Sequence, residues 1–203
     1  MTRLRRLLVL VVLVIACALP SGGAQAADSR FHDNVADAFT EQDGAHVFDF
    51  AWDLRRERGD DPVDHLNAAN AAARCTQCGA RAIAFQIVLV SGSPDIVAPR
   101  NLARAITDQC TQCEVAAEAR QFVRVLDAPV RFTGEGRAEL AAVRNELRAL
   151  EDQSLSLAQL DEQVERQEAR VIDALDHELV LKSRPDARPE VLDKELHQSA
   201  DLG

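Results

Sequence analysis

The chain has 203 residues, 33 acidic against 23 basic side chains, and a net charge of −10. That acidity, with no basic cluster, argues against nucleic acid and anionic lipid surfaces as partners and for a solubilised helical surface. Seven Phe, one Trp and no Tyr leave material for a core of modest size, which predicts one small domain with a helical appendage.

Residues 1–26 have the parts of a secretory signal peptide. Arg3, Arg5 and Arg6 precede an apolar run from Leu7 to Leu19, Pro20 breaks it, and Ala24-Gln25-Ala26 offers a small-x-small cleavage site. The run is too short to span a bilayer. Cleavage after Ala26 takes three arginines and no acid from the net −10, leaving −13. Val14-Ile15-Ala16-Cys17 also resembles a lipobox, in which Cys17 would be lipidated and anchor the protein to the envelope. The expected location is secreted or extracytoplasmic, with the lipid-anchored envelope as the alternative. No later stretch has the composition of a transmembrane segment.

Residues 27–45 are polar and aperiodic and read as a linker before a sheet domain over 46–130. Phe48, Phe50, Trp52 and Leu54 alternate with Asp49 and Asp53, the pattern of a half-buried strand. Gly59-Asp60-Asp61-Pro62 ends it and opens a predicted helix, with Asp61 as N-cap, Asp64 in the first turn and Ala68–Ala73 as its continuation. Calcium ligation by Asp60, Asp61 and Asp64 competes with that capping role, which explains them better. Ile83 to Val90 reads as a buried strand, Pro99 to Asp108 as a second helix, and Ala119 to Leu126 as a third strand.

A shift of 35 residues superposes Cys75 on Cys110, Cys78 on Cys113, Ala82 on Ala117, Ala84 on Ala119, Gln86 on Gln121, Val88 on Val123 and Val90 on Val125. The fold expected is therefore α/β or α+β: a β-α-β-α-β sheet domain with an internal repeat and right-handed crossovers. Beyond Pro129 the pattern turns helical. Leu140, Val143, Leu147 and Leu150 form one seam, and Val164, Val171, Leu175 and Leu179 another. Ser156 and Gln159 predict a capping box between them, with Leu155 stapling on Leu160. Residues 131–183 thus form a C-terminal antiparallel helical hairpin that covers the sheet, self-associates or meets a protein partner. Residues 184–203 form a charged, flexible tail.

The four mature cysteines stand in two copies of Cys-Thr-Gln-Cys, Cys75–Cys78 and Cys110–Cys113. In an oxidising compartment such thiols pair as disulfides. Of three connectivities, pairing within each motif needs no tertiary approach and is preferred, while the crossed pairing of Cys75 with Cys113 and Cys78 with Cys110 suits a pseudo-two-fold equally well. A four-cysteine zinc site is the alternative, since two Cys-x-x-Cys knuckles supply the usual ligand spacing. Thiol–redox chemistry is the third possibility. A redox Cys-x-x-Cys opens a helix, whereas these motifs close one and precede a strand.

Other chemistry is thinly supported. His32, His46, His65, His177 and His197 have neither ligand nor triad spacing. His177-Glu178 runs on into Leu179-Val180-Leu181, so the second histidine of a zincin is missing. No complete catalytic motif stands in the chain, and it reads as a non-enzyme.

The order of Val47-Phe48-Asp49-Phe50-Ala51, Asn67-Ala68-Ala69, the two cysteine motifs, Ala82 to Val90, Asn101-Leu102-Ala103 and Pro129-Val130-Arg131-Phe132-Thr133 resembles an uncharacterised actinobacterial extracytoplasmic family with twin Cys-x-x-Cys motifs. The resemblance covers about residues 43–181. Some members carry an automatic "peptide zinc metalloprotease" label, from which this chain departs in lacking the metalloprotease helix and membrane-spanning catalytic segments. The resemblance implies export and a non-catalytic envelope role, and it supplies no substrate.

Overall fold

Three strands of equal length carry the fold. β2 (His46–Arg58), β4 (Gly79–Ser91) and β6 (Glu114–Leu126) lie parallel, each pair in unbroken register. A second parallel sheet is made by β1 (Asn34–Thr40), β3 (Leu66–Ala73) and β5 (Arg100–Thr107). The chain alternates between the sheets, β1 to β2, β3 to β4, β5 to β6, and each winding settles beside the last. The result is a flattened parallel coil of three turns, in which each turn contacts its neighbours through backbone ladders. Residues 33, 34 or 35 apart become lateral neighbours, as in Asn34–Asn67, Asn67–Asn101 and Gln77–Gln112. Ala82 pairs with Ala117, Ala84 with Ala119, Gln86 with Gln121, Val88 with Val123 and Val90 with Val125. This computed structural model describes residues 33–59 and 62–202, and of 193–202 the backbone alone. The expected signal peptide over residues 1–26 with Cys17, and also His32, Asp60 and Asp61, lie outside the described residues, as does the His197 side chain.

Two segments expected as helices are strands. Residues 68–73 belong to β3, and 100–107 of the segment 99–108 form β5. Alanine favours a helix by intrinsic propensity, but here Ala69, Ala71 and Ala73 line the narrow space between the sheets and are at most 2% exposed. Small side chains at alternate positions are what that space admits, and packing overrides the local preference. The β-α-β-α-β order is therefore replaced by strands throughout this part. Within the segment expected as a linker, residues 34–40 form β1, whose buried positions are Asn34, Ala36, Ala38 and Thr40. Val191–Leu202, placed by sequence in a flexible tail, form β9, which pairs antiparallel with β6.

The long sheet has two different faces. Toward β1, β3 and β5 it presents Ala80, Ala82, Ala84, Ala117 and Ala119, which pack on Ala36, Ala38, Ala69 and Ala71. Further along, Val88, Val90, Val123 and Val125 pack on Val63 and Val97. The opposite face carries Ile83, Phe85, Ile87 and Phe122, with Phe48, Phe50, Trp52 and Leu54 packed against them. Trp52 and Phe85 stack with ring centres 6.0 Å apart.

The helices cover that second face. α1 (Gly134–Arg148) and α2 (Leu157–His177) are joined through a short 3-10 turn, Ala149–Asp152. Leu140, Val143, Leu147, Leu150, Leu160, Val164, Val171 and Leu175 all enter the same apolar cluster as the sheet residues. Ser156 caps α2, accepting from the Gln159 N–H, while Gln159 Oε1 accepts from the Ser156 N–H at 2.9 Å. β7 (Val130–Phe132) precedes α1, β8 (Leu179–Leu181) follows α2, and the two pair antiparallel. The helices thus leave and re-enter the domain at one place. Arg120, 2% exposed, binds Glu118 at 3.0 Å and also Glu168 of α2. Arg124 reaches Asp176 at 3.1 Å. Charges taken out of water are tolerable only with partners such as these.

Candidate functional site

The cysteines occupy one corner of the coil. Five residues, Arg74 to Cys78, connect β3 to β4, and the corresponding turn with Cys110–Cys113 connects β5 to β6. Thr76 and Thr111 form a parallel bridge between the two turns. The Gln77 N–H donates to Thr111 O at 2.8 Å, and the Gln77 side-chain amide donates to Gln112 Oε1 at 3.0 Å. In the first winding the same place holds Asp43-Gly44. The Gly44 N–H donates to Thr76 O at 3.0 Å, and Asp43 Oδ1 accepts from the Thr76 N–H at 2.8 Å. Gly44, Gln77 and Gln112 have φ of 72°, 55° and 57°. The left-handed region is free to glycine but costs an L-residue roughly 1–2 kcal/mol. Gln77 and Gln112 each lie between the two cysteines of a motif, and Gln109, just before the second motif, also has a positive φ of 50°.

Cys75 and Cys78 lie at disulfide distance, with Cα atoms 6.0 Å apart, and Cys110 and Cys113 likewise at 5.9 Å. Cys75 and Cys78 are 6% and 1% exposed and belong to the alanine core. The two pairs touch: Cys78 Sγ lies 3.4 Å from Cys113 Sγ. The sulfurs of Cys75, Cys78 and Cys113 fall within 4.8 Å of one another, and Cys110 stands outside that group. Each motif closes a strand rather than a helix, and neither sits at a helix N-terminus.

Beside the corner lies a cleft of about 630 Å³ between the starts of β2, β4 and β6 and the loop from Leu150 to Ser156. Arg81 crosses it, donating to Leu155 O at 2.5 Å and pairing with Glu114 at 3.3 Å. His46 borders the cleft with Gly79, where an added methyl would stand 2.6 Å from His46 Nδ1 and force the exposed imidazole to move. Sequence reasoning did not single out Arg81 or Glu114. The signal for Glu114 was adjacency, since it directly follows the second cysteine motif; Arg81 stands three residues after the first. The cleft holds the Arg81 cation, three carboxylates (Glu114, Glu151 and Asp152) and two hydroxyls, and no nucleophile with a base in hydrogen-bond reach is among the contacts described there.

The other histidines are scattered. His65 is buried, its Nε2 3.6 Å from Glu57, and His177 is exposed beside Asp173. Asp64 pairs with Arg100 at 3.2 Å.

A polar row unanticipated from the sequence joins the sheets. Asn34 Nδ2 donates to Asn67 Oδ1 at 2.8 Å, and Asn67 Nδ2 donates to Asn101 Oδ1 at 2.8 Å. The same amides reach across to the long sheet: Asn34 to Phe85 O, Asn67 to Ala84 O and Arg120 O, and Asn101 to Ala119 O. Repetition of Asn-x-Ala-x-x at 34, 67 and 101 is the pattern that could have revealed it.

No helix among the described residues is long and apolar enough to cross a membrane. No protein family, no curated protein and no solved structure matches the chain.

Proposed function

We propose that this chain is an exported, non-catalytic module of the cell envelope, structural or interaction-forming in role. In this reading residues 1–26 are removed on export and the cysteines form the disulfides Cys75–Cys78 and Cys110–Cys113. The three windings are copies of one unit of 33–35 residues, and α1 and α2 are an antiparallel hairpin covering its broad face. The observation that carries the reading is the pair of within-motif cysteine contacts at disulfide distance. They belong to an oxidising compartment. Its further supports are the signal-peptide pattern, the missing catalytic motifs and the resemblance to an extracytoplasmic family.

Zinc is the second reading, favoured by the cluster of Cys75, Cys78 and Cys113 sulfurs. Zn–S bonds near 2.3 Å require sulfurs roughly 3.8 Å apart, so both within-motif pairs would have to be reduced and opened, with Cys110 as fourth ligand. Intact mass of the exported protein, alkylated without reduction, separates the two. Four blocked sulfurs, no zinc and an N-terminus at Ala27 support the module. One zinc per chain with four alkylatable thiols after denaturation would overturn it, and an N-terminal acylated Cys17 would replace secretion by lipid anchoring.

A further inference from the structure

A parallel sheet is normally covered on both faces, yet the outward face of β1-β3-β5 leaves large apolar side chains exposed at its two edge strands, while Ala68 between them is 4% exposed. Phe39 is 60% exposed, Leu102 54%, Val35 39% and Ile106 38%. The register gathers them into two apolar rows, Val35–Ala68–Leu102 and Phe39–Ala72–Ile106. Between the rows lies a third, Asp37–Asn70–Arg104, negative at one edge and positive at the other. Asn70 donates to Asp37 Oδ1 at 2.7 Å, which fixes the acidic end.

We infer that this face pairs with the same face of a second copy, about a two-fold axis running parallel to the strands over β3. Such an axis exchanges the β1 and β5 edges and preserves position along the strands. Asp37 then faces Arg104 of the other copy, twice; Asn70 faces Asn70; Val35 meets Leu102 and Phe39 meets Ile106. An isologous contact must be self-complementary, and this row satisfies that condition in one orientation. An in-plane axis perpendicular to the strands would set Asp37 against Asp37 and Arg104 against Arg104, where like charges oppose docking. The helix seams cannot serve the same purpose, since their apolar residues are buried within the chain. This surface goes beyond the envelope-module reading and is independent of the state of the cysteines.

Sedimentation equilibrium of the purified protein at low salt, over about 1–100 μM, tests the inference. Wild type is expected to dimerise. Asp37→Arg and Arg104→Asp should each raise the dissociation constant at least about tenfold, and the double exchange D37R/R104D should restore it. Mixing the two single variants should give a heterodimer, because both cross-contacts are then opposite in charge; a misfolded variant would show no such recovery. A wild type monomeric at about 100 μM, single variants that dimerise unchanged, or a mixture that stays monomeric would overturn the proposal. Chain residues outside the described structure lying over the face would give the first of these results. The thiol analysis above is unaffected by any of them, so the two readings fail separately.

Discussion

Replacing Asn67 by alanine should strongly destabilise the coil. Asn67 is 0% exposed, accepts from Asn34 and donates to Asn101 Oδ1, Ala84 O and Arg120 O, at 2.8–3.1 Å. Truncation takes one partner from the Asn34 amide and one from the Asn101 oxygen, each buried or half-buried, at about 1–3 kcal/mol apiece. Ala84 O and Arg120 O can keep partners in the sheet ladder, so they add little. The expected loss is about 4 kcal/mol, a large share of the 5–15 kcal/mol typical of a domain. Asn67→Asp tests the sign of the effect. An ionised carboxylate accepts only, and would face Asn101 Oδ1, Ala84 O and Arg120 O; it should be worse than alanine at pH 7 and recover toward pH 4, as the carboxyl regains a proton to donate. Urea unfolding followed by Trp52 fluorescence, at matched protein concentration, reads both through a shifted midpoint with an unchanged slope. Glu162→Ala, which breaks an exposed pair with Arg166 at 3.5 Å, is the control and should change stability by under about 0.5 kcal/mol. A loss below about 1 kcal/mol for Asn67→Ala would refute the claim that the asparagine row joins the sheets.

Reducing the two proposed disulfides should cost about 2 kcal/mol each, the chain-entropy value for so short a loop, and calorimetry should show Tm falling by roughly 8–16 °C. Gly92→Ala should lose about 3 kcal/mol in denaturant titration, because φ is +140° and a methyl there would stand 2.4 Å from Gly59 O. Ser156→Ala removes half of a capping box and should lower stability by about 1 kcal/mol in the same titration. The hydrogen bond from Arg170 holds the Glu146 carboxyl below its ordinary range, with Gln167 and Arg166 adding to the effect. A depressed acid stabilises above its unfolded pKa and loses that contribution as pH falls through the folded one. Glu146→Gln should therefore flatten the stability profile below about pH 4.5, by well under 1 kcal/mol for so exposed a pair.

What the sequence made legible was decided by where large side chains point. Phe48, Phe50, Trp52 and Leu54 alternate with acids because one face of β2 meets the helices, and the period is plain. The helix seams and the Ser156–Gln159 capping box were readable for the same reason: bulky residues face the core and polar ones face water. β1 was illegible because its pattern is inverted, with Asn34, Ala36, Ala38 and Thr40 inside and Val35 and Phe39 outside. β3 and β5 were hidden by alanine, whose helical preference says nothing about a slot between two sheets. For the candidate site, the four cysteines and their within-motif pairing could be proposed from spacing and compartment. The stacking that brings Cys78 against Cys113, and the cleft spanned by Arg81, depend on the register of windings about 35 residues apart, which is a property of the ladder.

Alanine core, asparagine row and cysteine corner share one physical cause. A five-residue connection from β3 to β4 holds the sheets close, and the reach of the Asn67 amide to Ala84 O and Arg120 O shows how close they stay. At such a separation larger side chains would force the sheets apart, so the inner rows near the corner are alanine. Alanine buries little area, and each apolar Å² contributes only about 25 cal/mol. The narrow end must then be held by something other than apolar packing. The asparagines supply directional bonds across it, and the cysteine pairs restrain turns whose central glutamines sit at positive φ. At the far end, where Val88, Val90, Val123 and Val125 meet Val63 and Val97, aliphatic packing takes over beyond one further directional contact, the buried amide of Gln121 donating to Gln86 Oε1 and to His65 O. The placement of polar and sulfur contacts thus follows the width of the coil: directional bonds stand where the gap is too narrow for a large apolar core.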